Sequence, residues 1–225
     1  MNRVAMRAWL GLTNLIGAVM LVVFLPARSP RYWQAWAYVA VFAACAASIT
    51  WYLQRHDTAL LERRLAAGPR AEKERRQKAI QLVASLAFLG LFVVSGLDHR
   101  HGWSSLSTPL VVAGDALVVV GFWIVHRTFR ENSYTSAIIG TAEGQRVVST
   151  GPYAVVRHPM YAGALLLLLG TPLALGSIWA LMCFAVLVIV IVSRLLGEER
   201  LLARELPGSE SYLSKVRYRL VPLVW

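Results

Sequence analysis

Three polar side chains around one proline have types and a spacing that could serve chemistry. Arg157 and His158 directly precede Pro159, and Tyr161 follows it by two residues. Proline suits the first turn of a helix, where its missing N–H costs no hydrogen bond. The sequence therefore predicts that Arg157 and His158 lie at the mouth of a helix, with Tyr161 in its first turn.

A second polar group lies at the end of a later apolar segment. Arg194 and Glu198 are four residues apart, so they share one face of a helix. Gly176 and Ser177 alone separate this segment from the one that begins at Pro159. The two segments are predicted to form a helical hairpin, which brings Arg194 and Glu198 beside the first polar group.

These residue types favour some reactions over others. The sequence offers no Ser/His/Asp set for a nucleophilic triad, no ligand-spaced His/Cys cluster for a metal and no glycine-rich loop for a nucleotide phosphate. The remaining possibility is a group transfer driven by a reactive cofactor. Such a site needs groups that bind and orient the reactants more than it needs acid–base groups. The alternative is a basic membrane anchor with an ordinary i,i+4 ion pair.

The composition indicates that a membrane holds the elements that position these groups. Of the 225 residues, 57% are hydrophobic and 16% charged, whereas soluble domains have about 45–50% and 25%. Apolar segments of about 18–20 residues can cross a bilayer as helices. An all-α polytopic membrane protein with six spans is predicted, at Ala8–Leu25, Trp33–Leu53, Ala79–Leu97, Pro109–His126, Pro159–Leu175 and Ile178–Leu196.

The charges give this bundle an orientation. Twenty of the 23 Lys and Arg residues fall on one side of the six spans and three on the other. The positive-inside rule then puts both termini in the cytoplasm. The asymmetry also explains the net charge of +11 without nucleic acid as a partner. Arginine is far more frequent than lysine, which is typical of a GC-rich bacterial genome. The membrane is therefore expected to be a bacterial inner membrane.

Three elements in the segment Arg127–Trp225 resemble the isoprenylcysteine carboxyl methyltransferase family. They occur in the family's order and with its spacing. They are Gly151-Pro152-Tyr153-x-x-x-Arg157-His158-Pro159-x-Tyr161-x-Gly163 followed by Gly170-Thr171, then Arg194-x-x-x-Glu198-Glu199, and finally Tyr212, Val216 and Leu220-Val221-Pro222.

The resemblance implies an enzyme that uses S-adenosylmethionine, without a metal, to methylate a lipid-like, prenylated or small hydrophobic acceptor at the cytosolic membrane face. Membrane lipids would surround it. Related membrane methyltransferases use phospholipid or thiol acceptors, so the acceptor stays open. Residues 109–225 would form the catalytic core, and residues 1–108 would supply three helices and a basic loop.

The resemblance also assigns site residues. Glu198 would hold the amino group or ribose of the cofactor, and Arg194 would act as the catalytic residue that orients the acceptor. The other residues expected to bind the cofactor are Gln145, Arg146, Val147, Val148, Tyr153, Arg157, His158, Pro159, Met160 and Tyr161.

Two other functions compete with this one. The signature is distantly similar to the C-terminal part of membrane sterol reductases, which use NADPH. A small transporter would place charges deep in the bilayer, but only Asp115 is deep. Asp115 is then either a structural acid or a site residue.

Several polar segments have less specific interpretations. The mixed charges of Leu60–Lys78 are typical of a solvated helix at the membrane surface. Surface hydration is sufficient to explain the charged run Asp98–His101. Glu131, Asn132 and Tyr134 could cap a cofactor pocket, and Glu199 is either a partner of the site or a plain cytosolic charge.

Overall fold

The protein is described by a computed structural model over residues 3–65, 75–135 and 146–225, with the side chains of residues 75 and 76 left out. Its regular elements within these ranges are all helical. They are α1 (Arg3–Ala27), α2 (Trp33–His56), α3 (Thr58–Leu65), α4 (Arg75–His101), α5 (Thr108–Glu131), a 3₁₀ turn (Gly151–Ala154), α6 (Pro159–Ala174), α7 (Leu181–Glu205) and α8 (Ser209–Lys215).

Five of these helices are long and apolar enough to cross a bilayer, namely α1, α2, α4, α5 and α7. The predicted fold class, an all-α polytopic membrane protein, is confirmed. The remaining predicted span corresponds to α6, which begins at Pro159 but has only 16 residues. At 1.5 Å per residue α6 is about 24 Å long, which is shorter than the hydrocarbon core of about 30 Å.

Four glycines bring α5 and α6 into close contact. An added Cβ at Gly114 would lie 2.3 Å from the backbone nitrogen of Ala174, and one at Gly121 would lie 2.6 Å from the carbonyl oxygen of Gly163. Gly170 likewise lies against the backbone of Gly114. Small residues let two membrane helices approach so closely. As a result α6 packs most extensively on α5, while its predicted hairpin partner α7 packs mainly on α4.

Gly121→Ala is expected to destabilise the protein by about 1–3 kcal/mol, because the new methyl group meets backbone that cannot rotate away. The measurement is the thermal unfolding midpoint in detergent. Gly17→Ala on α1 is the matched control, since its added Cβ has no heavy atom within 4 Å and it gains about 1 kcal/mol of helix propensity. Equal midpoints for the two variants would contradict the close α5–α6 contact.

One end of the bundle is tied together by a buried carboxylate. Asp98 is 1% exposed, and it accepts hydrogen bonds from the backbone N–H of Ser104 at 2.7 Å and from the Ser177 hydroxyl at 2.5 Å. Next to it, the ring of His99 stacks on Tyr32 with centroids 3.9 Å apart. Hydration at the surface is therefore the wrong explanation for Asp98, because the α6–α7 turn and the loop before α5 cover it.

At the opposite end, which we call the basic end, the start of α1 and the ends of α2 and α5 meet the short helix α3. Leu60 and Leu61 of α3 are buried there with Leu53 and Phe129. The prediction of a solvated helix over Leu60–Lys78 is thus wrong for Leu60 and Leu61, which complete an apolar cluster, whereas Glu62 of the same helix is exposed. Residues 66–74 of that prediction lie outside the described ranges.

Candidate active site

A pocket of about 440 Å³ lies at the basic end of the bundle, within the range of roughly 300–1,000 Å³ of small-molecule sites. The structure brings to it all the sequence-predicted site residues that it describes. These are Arg146, Val147, Val148, Tyr153, Arg157, His158, Pro159, Met160, Tyr161, Arg194 and Glu198. Gln145 lies outside the described residues.

Arg157 joins the mouth of α6 to the C-terminal tail. Its Nε donates to the carbonyl of Val216 at 2.7 Å and its Nη2 to the carbonyl of Leu213 at 2.7 Å. Its own backbone N–H donates to the carbonyl of Tyr218 at 2.8 Å. The guanidinium therefore fixes the tail, whose residue Leu213 forms part of the pocket wall.

Glu199, which also lines the pocket, interacts with three positively charged or titratable side chains. Its carboxylate accepts from Arg157 Nη1 at 3.2 Å and from Arg219 Nε at 3.0 Å. The ring nitrogen Nε2 of His158 lies 3.3 Å from the same carboxylate. The glutamate side chain is only 11% exposed. Of the two interpretations left open for Glu199, the structure supports a partner of the site rather than a plain cytosolic charge.

Glu198 faces the pocket from the next position of α7. The hydroxyl of Tyr161 donates to its Oε2 at 2.8 Å. Because successive helix positions are rotated by about 100°, the two adjacent glutamates point in different directions. Glu199 holds the tail, and Glu198 offers a carboxylate beside the phenol of Tyr161 to a molecule in the pocket.

Two pocket residues come from the N-terminal half, where no motif marks them. Gln81 of α4 accepts a hydrogen bond at 2.8 Å from Nη1 of Arg194. Arg194 itself is buried, with 7% of its surface exposed. Arg64 of α3 has its Nη1 3.6 Å from the sulfur of Met160 and its guanidinium 5.1 Å from the ring centre of Phe129. The only signal for Arg64 in the sequence is its position one turn after the buried pair of leucines.

The loop after α5 forms another wall. Asn132 donates to the hydroxyl of Tyr153 at 3.0 Å, and Tyr212 donates to the Tyr153 carbonyl at 2.8 Å. Burial raises the pKa of Tyr212 to about 12, so this donor stays protonated at physiological pH. Asn132 and Tyr134 line the pocket. Glu131 instead accepts a hydrogen bond from the Thr150 hydroxyl.

The pocket can hold a molecule with several kinds of polar group. Its lining includes two carboxylates, four guanidinium groups, several phenols and apolar side chains from α5, α6 and α7. No group of three or more His, Cys, Asp or Glu side chains suited to a metal occurs among residues 3–65, 75–135 and 146–225. Asp115 and His126 are not among the described lining residues.

Comparison with known proteins gives a match to the part of the chain that supplies most of the pocket lining. The model of the phospholipid methyltransferase family matches residues 110–207. A curated relative, Delta(14)-sterol reductase TM7SF2 of Mus musculus, is 28% identical over 134 residues, which is 53% of this chain and 32% of the relative. The chain thus spans about a third of the length of that relative.

The matched segment runs from the start of α5 to the end of α7 and contains the first two of the three motif elements, whereas Tyr212 of the third lies beyond it. The resemblance noted in the sequence is confirmed by this match. The segment that builds most of the pocket is thus similar to the phospholipid methyltransferase family.

Proposed function

We propose that the protein is an S-adenosylmethionine-dependent methyltransferase that acts on a lipid-like acceptor at the cytosolic membrane face. The observation that carries the proposal is the pocket at the basic end, where the motif residues of the family-matched segment converge. Residues 109–225 would supply most of the catalytic core, and Arg64 and Gln81 would add a wall from the N-terminal part.

The side chains present fit the polar groups of this cofactor. The Glu198 carboxylate, with the Tyr161 hydroxyl bound to its Oε2, suits the positively charged amino group or the ribose hydroxyls. Arg146, Val147 and Val148 form a chain segment along the pocket, which suits contact with the adenosine part. Tyr153 is held in place by Asn132 and Tyr212.

When bound, S-adenosylmethionine supplies a methyl group on a positively charged sulfonium sulfur, which a nucleophilic acceptor can attack directly. The protein's task is then to align the two reactants and exclude water. Tyr161 and Glu198 would fix the cofactor end. Arg194, anchored on Gln81, would hold the acceptor, because a guanidinium binds an anionic oxygen pair with fixed geometry.

Arg194→Ala is expected to reduce turnover by about tenfold or more, since a charge-assisted hydrogen bond to the acceptor is lost, while cofactor affinity changes little. Methyl-transfer assays and calorimetric titration of S-adenosylhomocysteine provide the two measurements. The exposed Arg130 of α5 gives the control Arg130→Ala. An equal loss of turnover and cofactor affinity in Arg194→Ala would move Arg194 into the cofactor site.

The orientation follows from the charges. We propose that both termini lie in the cytoplasm and that the membrane is a bacterial inner membrane, because the Lys- and Arg-rich connections gather at the basic end. The pocket would then open where cytosolic S-adenosylmethionine and membrane lipids meet. Cysteine labelling from each side of the membrane tests this orientation.

A reductase that uses NADPH is the second candidate, and the similarity to the Mus musculus sterol reductase is the observation that favours it. Titration of S-adenosylhomocysteine and of NADPH into the detergent-purified protein separates the two. Binding of S-adenosylhomocysteine alone supports the methyltransferase. Binding of NADPH alone, in protein that still unfolds cooperatively on heating, would overturn it.

A further inference from the structure

We infer that an exposed turn in the C-terminal tail is a docking surface for the lipid bilayer at the basic end. The turn consists of five consecutive apolar residues, Val221-Pro222-Leu223-Val224-Trp225, and we call it the apolar turn. The inference adds a second kind of membrane contact to that of the spanning helices. It goes beyond the proposed function, because it depends on no cofactor and no acceptor.

The side chains of the apolar turn face outward from the described part of the chain. All five residues are exposed, and Leu223 and Val224 are 85% and 77% exposed. Leu220, directly before them, is buried, so the turn projects from a packed base. A contiguous exposed apolar patch typically marks a contact with a membrane or with another protein.

Leu223 has a backbone conformation that leucine rarely adopts. Its φ is 67°, in the left-handed region that suits glycine and asparagine but is costly for a bulky side chain. The N–H groups of Leu220 and Val221 close the turn by donating to the main-chain oxygen of Trp225 at 3.0 and 3.1 Å. Neither this backbone nor packing among the described residues favours a leucine here. A contact outside the protein explains its apolar side chain.

The lengths of the helices place the apolar turn at the level of the bilayer surface. The N–H of His158, at the start of α6, donates to the carbonyl of Arg219 at 3.0 Å, and Arg219 Nε donates to Glu199 at 3.0 Å. Glu199 follows Leu181, the first residue of α7, by 18 positions. At 1.5 Å per residue this is about 27 Å, close to the hydrocarbon thickness of about 30 Å. The apolar turn begins two residues after Arg219.

The residues around the apolar turn suit an anionic bilayer surface. Lys215 and Arg217 precede it and are exposed, and Cζ of Arg219 lies 5.3 Å from the ring centre of Trp225. Basic side chains are attracted to anionic headgroups, and tryptophan prefers the membrane interface. Apolar and basic residues together are the combination by which peripheral segments bind membranes. The occupant that fits is therefore the bilayer.

This docking would connect the bilayer to the pocket. Tyr212 and Leu213 of the same tail line the pocket, and Arg157 ties Leu213 and Val216 to the start of α6. A tail that is also held by lipid would keep these lining residues in place.

A nitroxide spin label attached to Leu223→Cys measures the contact. The half-buried Cys45 and Cys183 are first replaced by alanine, and the protein is placed in nanodiscs of phosphatidylglycerol and phosphatidylcholine. The label should collide with oxygen as one at Leu86→Cys does, which is an exposed position of the spanning helix α4. It should collide at least about threefold less often with a water-soluble nickel chelate than a label at the exposed Glu210→Cys, because hydrocarbon excludes the chelate.

Two results would overturn the docking surface. Nickel collisions at Leu223→Cys as frequent as those at Glu210→Cys would show that the apolar turn stays in water. Shielding of the Leu223→Cys label from both oxygen and nickel would show that protein covers the turn, either a second copy or another segment of this chain.

Leu223→Asn removes the apolar side chain without disturbing the turn, since asparagine tolerates a left-handed backbone. In the same nanodiscs, trypsin should cleave the variant after Lys215 and Arg217 about tenfold faster than the wild type, because the tail loses the burial of one leucine in lipid. Ser211→Asn, an exposed position of the same tail, is the control and should be cleaved as the wild type is. Equal cleavage of Leu223→Asn and the wild type would contradict the docking of Leu223.

Discussion

Glu198→Ala is expected to weaken the binding of S-adenosylhomocysteine strongly, because the carboxylate is proposed to hold its amino group or ribose. A hydrogen bond to a charged group commonly contributes about 1.5–3 kcal/mol, so the dissociation constant should rise about tenfold to a hundredfold. The measurement is a calorimetric titration of the wild type and the variant in the same detergent. The fold should persist, because Glu198 is only partly buried and has its hydrogen bond from Tyr161 at the pocket edge.

Two further variants separate charge from packing. Glu198→Gln keeps an oxygen that can accept the hydrogen bond from the Tyr161 hydroxyl but removes the negative charge, so an intermediate loss indicates that charge matters. Glu62→Ala removes an exposed carboxylate of α3 outside the lining and should leave the affinity unchanged. Wild-type affinity in Glu198→Ala would remove this residue from the cofactor site.

Glu199→Ala should lower stability more than any single change elsewhere at the basic end. Removing one partner of a buried ion pair typically costs about 3–5 kcal/mol, because the remaining charge stays buried without compensation. Here the carboxylate contacts Arg157, His158 and Arg219, and two of these side chains, Arg157 and His158, are at most 14% exposed. The thermal midpoint in detergent should fall, and tail residues should become sensitive to protease first.

Arg219→Ala is the matched control for this variant. Its side chain is 32% exposed, so breaking that single pair should cost about 1 kcal/mol or less. A double-mutant cycle between Glu199 and Arg219 then isolates their coupling. A Glu199→Ala protein that melts like the wild type, with its tail protected, would show that the tail is fixed by the backbone hydrogen bonds alone.

The sequence was sufficient to predict five of the six spans and the meeting of the two polar groups. Helix length and the N-terminal preference of Pro159 are local properties, so they can be read without a structure. Once two consecutive antiparallel helices are assumed, the start of one must lie near the end of the other. Arg157, Tyr161 and Glu198 were brought together by that reasoning.

The contribution of the N-terminal half could not be predicted in the same way. Arg64 contacts Met160, 96 positions away, and that proximity depends on how α3 folds back across the ends of α1 and α2. The order of the helices along the chain also did not predict that α6 packs mainly on α5. That packing depends on Gly121 and Gly163, which allow the two helices to approach closely. The different partners of Glu198 and Glu199 could be assigned only from the structure, because they depend on how α7 is rotated about its own axis.

The pocket is built from distant parts of the chain, which has a consequence for biosynthesis. Gln81 and its partner Arg194 are 113 positions apart, and Arg157 is 59 positions from Val216. On the ribosome the early helices emerge and insert before α7 and α8 have been translated. A ligand that binds only the folded state stabilises only that state. If the pocket binds S-adenosylmethionine as proposed, the metabolite would stabilise finished molecules, whereas the nascent chain must insert without such support.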